Sequence, residues 1–300
     1  EVGGKLAALY NCGFEFVYFD GSEGTNPPFE YHVPNAQYRV LRKLGSSPKF
    51  CEGAAKAHFS WHMLSGGNAF DIFSDEAFKA FAERFIHQLN NDFIEIDSLT
   101  EEDKWLIADE VVSGYQEIAT TQGIHPPFHL RPRVKTMLYT PLASKVGVSG
   151  SMMPFFCEFT LNGDVPASQY GATYAHELSH QQGITNEAEA NFYAYQVCPR
   201  SEWQPLRFSG RLAILPHLLS NARGMLSDGD YQTLLSAIRP EVIEQYQRNR
   251  AHWLELYSPL MGKVQDWVYD LYLKGNKIGS GQKNYSEVIG LLISWEGNNL

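Results

Sequence analysis

The chain has no run approaching the roughly 20 apolar residues that a membrane-spanning helix requires; its longer apolar pieces, such as GLLISW near the C-terminus, stop far short. It has no cluster of positive charge. Lys and Arg total 24 against 34 Asp and Glu, a net charge of −10. That balance argues against nucleic acid as the main partner, because phosphate binding needs a basic face. It has no CxxC pair: Cys12, Cys51, Cys157 and Cys198 stand far apart, which disfavours a cysteine zinc knuckle. Two disulfides or four thiols both fit these positions, and buried thiols are the preferred reading. There is no internal repeat and no low-complexity tract.

What remains is an ordinary globular composition, 44% apolar and 19% charged over 300 residues. That length supports one large domain, or a main domain with a smaller appendage. We expect an N-terminal accessory segment over residues 1–70, packed on or covering a main domain over 71–300. The first 50 or so residues are rich in turns, with FEFVYF as a candidate strand, and a helix is expected from Glu52 to about Leu64. From Ser74 the apolar residues Ala77, Phe78, Phe81, Phe85 and Leu89 form one helical stripe. A second helix follows, with Ser98 and Glu101 at capping-box spacing. The segment from Pro154 to Asp164 alternates as a strand does. Most of the remainder reads as helix: residues 168–182, 186–197, 207–222, 228–237, 240–257, 264–273 and 285–295. The fold class expected is α+β, predominantly helical.

One stretch carries chemistry: HELSHQQGITNEAEAN, His176 to Asn191. His176 and His180 stand one helical turn apart, so both imidazoles leave the same face and can hold zinc between them. Glu177, at the edge of that face, can take a proton from an activated water and pass it to a leaving group. A catalytic zinc needs a third protein ligand and one open position. Gly183 suits the left-handed end of the first helix, and Asn186 suits the N-cap of a second helix folded straight back. Glu187 has Asn191 four residues on, where it can orient a ligating histidine. Glu189 lies about 200° around the helix from Glu187, at the third position after Asn186, where it can bond back to the cap. Glu187 is therefore expected as the ligand and Glu189 as the cap partner.

These residues resemble the gluzincin metallopeptidases, which carry HExxH and a later glutamate ligand followed at four residues by Asp or Asn. EAEANFYAYQVCP is similar to the pattern of the ImmA/IrrE-type peptidases. From about Arg133 onward the segments GVSGSMMPFFCEFTLNGDVP, HELSHQQG, EAEANFYAY, LRFSG, YDLYLKGN and YSEVIGLL together resemble a bacterial family expected to be zinc peptidases, known as domain of unknown function number thirty-eight ten.

The resemblance implies a zincin-like metallopeptidase domain with a small sheet whose edge strand flanks the active-site helix. It implies a zinc cofactor, a peptide or protein substrate, and a cell-envelope or exported location. Members usually begin with membrane-spanning helices, which implies membrane association; residues 1–60 here are polar and turn-rich instead. By the same resemblance Phe156, Cys157, Glu158 and Phe159 form the substrate-pairing edge strand, and Tyr272 and Arg207 are candidate oxyanion donors. The expected activity is zinc-dependent peptide hydrolysis with Glu177 as general base. A zincin-fold peptide-binding or sensor protein that keeps the metal is the alternative. His58 and His62 form a second pair at helical spacing, but no third ligand accompanies them.

Overall fold

The computed structural model describes residues 16–19, 49–52, 75–122, 124–127, 132, 134–153, 158–184, 187–259 and 287–298. Two short strands, β1 (Phe16–Phe19) and β2 (Lys49–Glu52), pair in parallel. Then come α1 (Asp75–Asp92) and α2 (Glu101–Gln122). A small β region follows: β3 (Lys135–Thr136), the short α3 (Thr140–Ser144), β4 (Gly150–Met153) and β5 (Glu158–Leu161). The helices α4 (Ala167–Gln181), α5 (Glu187–Val197), α6 (Gln204–Met225), α7 (Asp228–Ser236), α8 (Pro240–Leu256) and α9 (Glu287–Asn298) complete the described chain. The class is α+β and mostly helical. No helix of the described residues is long and apolar enough to cross a membrane. The expected helices at 52–64 and 264–273, and the pair His58 and His62, lie outside the described residues.

The apolar stripe of α1 is buried as its period requires: Phe78, Phe81, Phe85 and Leu89 are all at or below 1% exposure. The start of α2 is capped two residues later than Ser98. Thr100 Oγ1 accepts from the Asp103 amide, and Asp103 Oδ2 accepts from the Thr100 amide at 2.8 Å. The reciprocal pair is Thr100 with Asp103, because a shorter carboxylate side chain serves the same geometry one helical start further on.

Helix α4 runs through the middle of the described fold. Tyr115 of α2 donates to the Ala175 carbonyl at 2.9 Å. Ser209 of α6 accepts from the Ala172 amide at 3.0 Å. Ser168, Gln245 and Asn249 form a buried hydrogen-bonded group that ties α4 to α8. Phe159 of β5 packs edge-on against Tyr174, with ring centroids 5.2 Å apart. Buried on so many sides, α4 is a rigid platform for the residues on its one open face.

The sheet order is β3-β5-β4, with β3 parallel and β4 antiparallel to β5. Glu158 and Phe159 therefore sit in the central strand, which corrects the expectation that they form the edge. Phe156 and Cys157 lie outside the described residues. The inward residues of β5, Phe159 and Leu161, are almost fully buried, as a strand paired on both sides requires. The Gly- and Ser-bearing β4 takes the edge.

Candidate metal centre

Helix α4 ends in a turn dictated by Gly183. Its φ of 92° is the left-handed conformation that glycine adopts without strain. The Gly183 amide donates to the His180 carbonyl, and the Ile184 amide donates back to Ser179, the pairing of a Schellman motif. Ile184 is buried, which anchors the turn. The same turn brings the Ile184 carbonyl to within 2.6 Å of His180 Nδ1. The helix terminator thus also holds the second histidine. Helix α5 then starts with Glu187 and Glu189 in its first turn, where acidic side chains complement the helix dipole.

The group that results is tight. His176 Nε2 and His180 Nε2 are 3.0 Å apart, and Glu187 Oε2 stands 3.1 Å from the first. Glu187 Oε1 is 3.7 Å from His180 Nε2. Donors about 2.0–2.1 Å from a tetrahedral ion stand about 3.3 Å from one another, so this spacing suits a small cation.

The protonation pattern points the same way. Asn191 Oδ1 lies 3.0 Å from His176 Nδ1, and His180 Nδ1 faces the Ile184 carbonyl. Both partners are acceptors, so in the neutral rings each Nδ1 carries the proton and each Nε2 keeps its lone pair. Two lone pairs and a carboxylate then converge on one point, an arrangement that a cation relieves. His180 also lies in the last turn of α4, where the negative end of the helix dipole favours positive charge. Among the described residues, His176, His180 and Glu187 are the His, Cys, Asp or Glu group able to hold a metal.

The two carboxylates of the site are pushed in opposite directions. Burial works to raise the Glu187 carboxyl, but when the metal-free imidazoles carry a second proton, a hydrogen bond from His176 and the charges of His180 and His176 outweigh it and hold it at about 2. Glu177 is 5% exposed. Its burial raises the carboxyl to about 7, with His180 opposing and Glu187 adding to the rise. Glu177 Oε2 is buried without a hydrogen-bond partner among the described residues. One carboxylate stays charged through the whole neutral range, and the other is poised to exchange a proton.

The group opens on a cleft of about 730 Å³. Val146, Val148 and Met152 line one side; Ala172, Ala213 and Ile214 line the helical side, with Gln169, Thr173 and His217 as polar groups. Strand β4 borders it at Gly150, Ser151 and Met152.

Arg207 lies elsewhere than the sequence suggests. Arg207 is not in the cleft. Its Nε donates to Asp92 Oδ1 at 2.9 Å, and its Nη1 donates to the carbonyls of Ser201 and Glu202. It is a structural ion-pair partner, because the end of α1 supplies a carboxylate and the turn before α6 supplies two carbonyls beside it. Tyr272 and Asn186 lie outside the described residues. Glu189 is 1% exposed, and Asn186, the residue it is expected to cap, lies outside the described residues. Sequence reasoning passed over β4, because a Gly-Ser stretch reads as loop until β5 is in place. His217, which the sequence suggests is a helix-surface or core histidine, lines the cleft in line with Gly210 and Ala213.

Residues 68–293 match the profile of the family described as Protein of unknown function (DUF3810). The chain belongs to this family. No curated protein and no solved structure matches it significantly. The matched span of this DUF3810 chain takes in every residue of the metal-capable group, the β4 edge and the cleft-lining part of α6.

Proposed function

We propose that the chain is a zinc-dependent hydrolase, a metallopeptidase of zincin-like architecture that cleaves peptide bonds. The observation that carries this reading is the convergence of two histidine lone pairs and the Glu187 carboxylate, with Glu177 beside them and a cleft in front. Two imidazoles and one carboxylate with an open side make the donor set of a catalytic zinc site. When bound, zinc supplies Lewis acidity toward a carbonyl oxygen and toward water.

The chain's own residues supply the rest. Asn191 and the Ile184 carbonyl fix the tautomers and the ring planes of the two histidines. Glu177, whose proton equilibrium lies near neutrality, accepts a proton and returns it to the leaving amine. The Asn162 amide donates to the Ser149 carbonyl at 2.8 Å, so Ser149 and Asn162 form a hydrogen-bonded pair. The next pairs, Gly150 with Leu161 and every second one after it, alternate in kind. The amides and carbonyls of Gly150 and Met152 thus turn away from β5 toward the cleft, where an extended peptide can pair with them.

Glu177→Gln is the direct test, read on zinc-loaded protein with a quenched-fluorescence peptide library. We expect zinc content to be retained and turnover to fall about a thousandfold. Cleavage at the parent rate would sink the assignment of Glu177 as the base.

A further inference from the structure

Gly150 differs from the other described glycines in what fills the space of its missing side chain. A methyl group at Gly114, Gly171 or Gly210 would run into Val197, Leu206 or Cys198, ordinary packing between helices. At Gly150 it would stand 2.3 Å from Glu177 Oε1 and 2.5 Å from both Cγ and Cδ of the same side chain. Real Cβ atoms do not approach other heavy atoms so closely.

The register explains why the two meet. Gly150 lies opposite Leu161, and Met152 opposite Phe159. Opposite residues in an antiparallel pair share a face of the sheet. Phe159 and Leu161 are buried, Phe159 against Tyr174 of α4, so the side-chain position of Gly150 also faces α4. Glu177 is three residues along from Tyr174, on the next turn of that helix. Its carboxylate lies in the notch that the glycine leaves in the edge strand.

We infer that Gly150 is a positioning residue: its bare Cα is the seat on which the Glu177 side chain rests, and it sets how far the carboxylate enters the cleft. The role in turnover rests on the proposed function, but the seat itself is a packing relation with its own test. Rotating the carboxylate does not clear a methyl group at position 150, because Cγ is as close as Cδ. Relief requires a different χ1, and a helix offers few. Such a change swings the carboxylate out of place, whereas the three atoms nearest to a methyl at position 150 all belong to Glu177 and none to His176, His180 or Glu187. Gly150→Ala therefore acts on proton transfer and not on metal binding.

A double-mutant cycle in the full chain, read by thermal unfolding after chelation, tests the seat. Gly150→Ala should lower Tm by about 5 °C in the parent, the cost of overpacking. In a Glu177→Ala background, where the side chain that fills the notch is gone, it should lower Tm by no more than about 1 °C. Equal losses in both backgrounds, or no loss in either, would overturn the inference. If Gly150→Ala does not fold alone, a double variant that unfolds near Glu177→Ala supports the seat, and one that also fails to fold refutes it. The peptide library and zinc analysis then read the functional side. Gly150→Ala should keep its zinc and lose kcat about a hundredfold with KM little changed. An unchanged kcat would overturn the positioning role. If the parent cleaves nothing, the proposed function falls, and the unfolding cycle still decides whether Gly150 seats Glu177.

Discussion

At the end of α1, each carboxylate oxygen of Asp92 faces an arginine: Arg207 at 2.9 Å and Arg211 in a still closer contact. Arg207 also donates to two carbonyls, and Arg211 to Gln88. On α4 and α5, by contrast, His176 and His180 turn their Nε2 atoms toward each other and toward Glu187, while Glu177 keeps a buried oxygen without a partner among the described residues. Both clusters bring charged or polar groups out of water. The first pairs both oxygens of one carboxylate with guanidinium donors, and of its donors Arg211 Nε stays buried without a partner among the described residues. The second gathers two imidazole nitrogens and a carboxylate around one point beside a buried, unpaired oxygen of Glu177. An ion-paired cluster ties helices together; a cluster of convergent metal-ligating side chains is a group that could hold a metal.

The difference can be broken most strongly at Asp92. Asp92→Ala leaves two arginines facing each other, and we expect a loss of about 3 kcal/mol, a fall in Tm of roughly 6–12 °C. Zinc stoichiometry should stay the same in the folded protein, as measured by metal analysis. His180→Ala should do the reverse: abolish stoichiometric zinc and leave the chelated protein's Tm within a few degrees of the parent.

A second prediction concerns pH. In the chelated, folded chain Glu177 titrates at about 7, against 4.5 for the ordinary carboxyl. Between those values the folded state holds a proton that the unfolded state has released, so stability falls as pH rises from 4.5 to 7 and is level above. The separation corresponds to roughly 3 kcal/mol. Glu177→Gln removes that penalty. Chelated Glu177→Gln should therefore melt several degrees above the parent at pH 8, with the gap closing by pH 4. A gap independent of pH would contradict the buried, raised carboxyl.

A smaller effect is expected at Asn191. It touches the histidine and not the metal position, so Asn191→Ala should weaken zinc binding about 10- to 100-fold in a competition titration with a chromophoric chelator. Unchanged affinity would remove its role in orienting His176.

Much of this arrangement is legible in the sequence wherever it depends on local periodicity. The spacing of His176 and His180 puts both on one helix face, Gly183 marks the turn, and a short hinge brings Glu187 and Asn191 back beside them. The apolar stripe of α1 reads equally well. What depends on pairing across long separations is not legible. Nothing local shows that β5 takes the centre of the sheet and β4 the edge, or that Arg207 finds Asp92 more than a hundred residues earlier. Nor does any local pattern show that Gly150 meets Glu177. The cap of α2 failed for a finer reason: Ser98 with Glu101 and Thr100 with Asp103 both satisfy the capping pattern, and only the observed hydrogen bonds choose between them.

The central claim is that His176, His180 and Glu187 together form one cation site. Zinc binding to the chelated full chain, followed by calorimetric titration, tests it most directly. The account predicts one tightly bound equivalent in the parent, lost when His180 is replaced by Ala and strongly weakened when Glu187 is replaced by Gln. Binding well below one equivalent in the parent, or a full equivalent that survives His180→Ala, would contradict it.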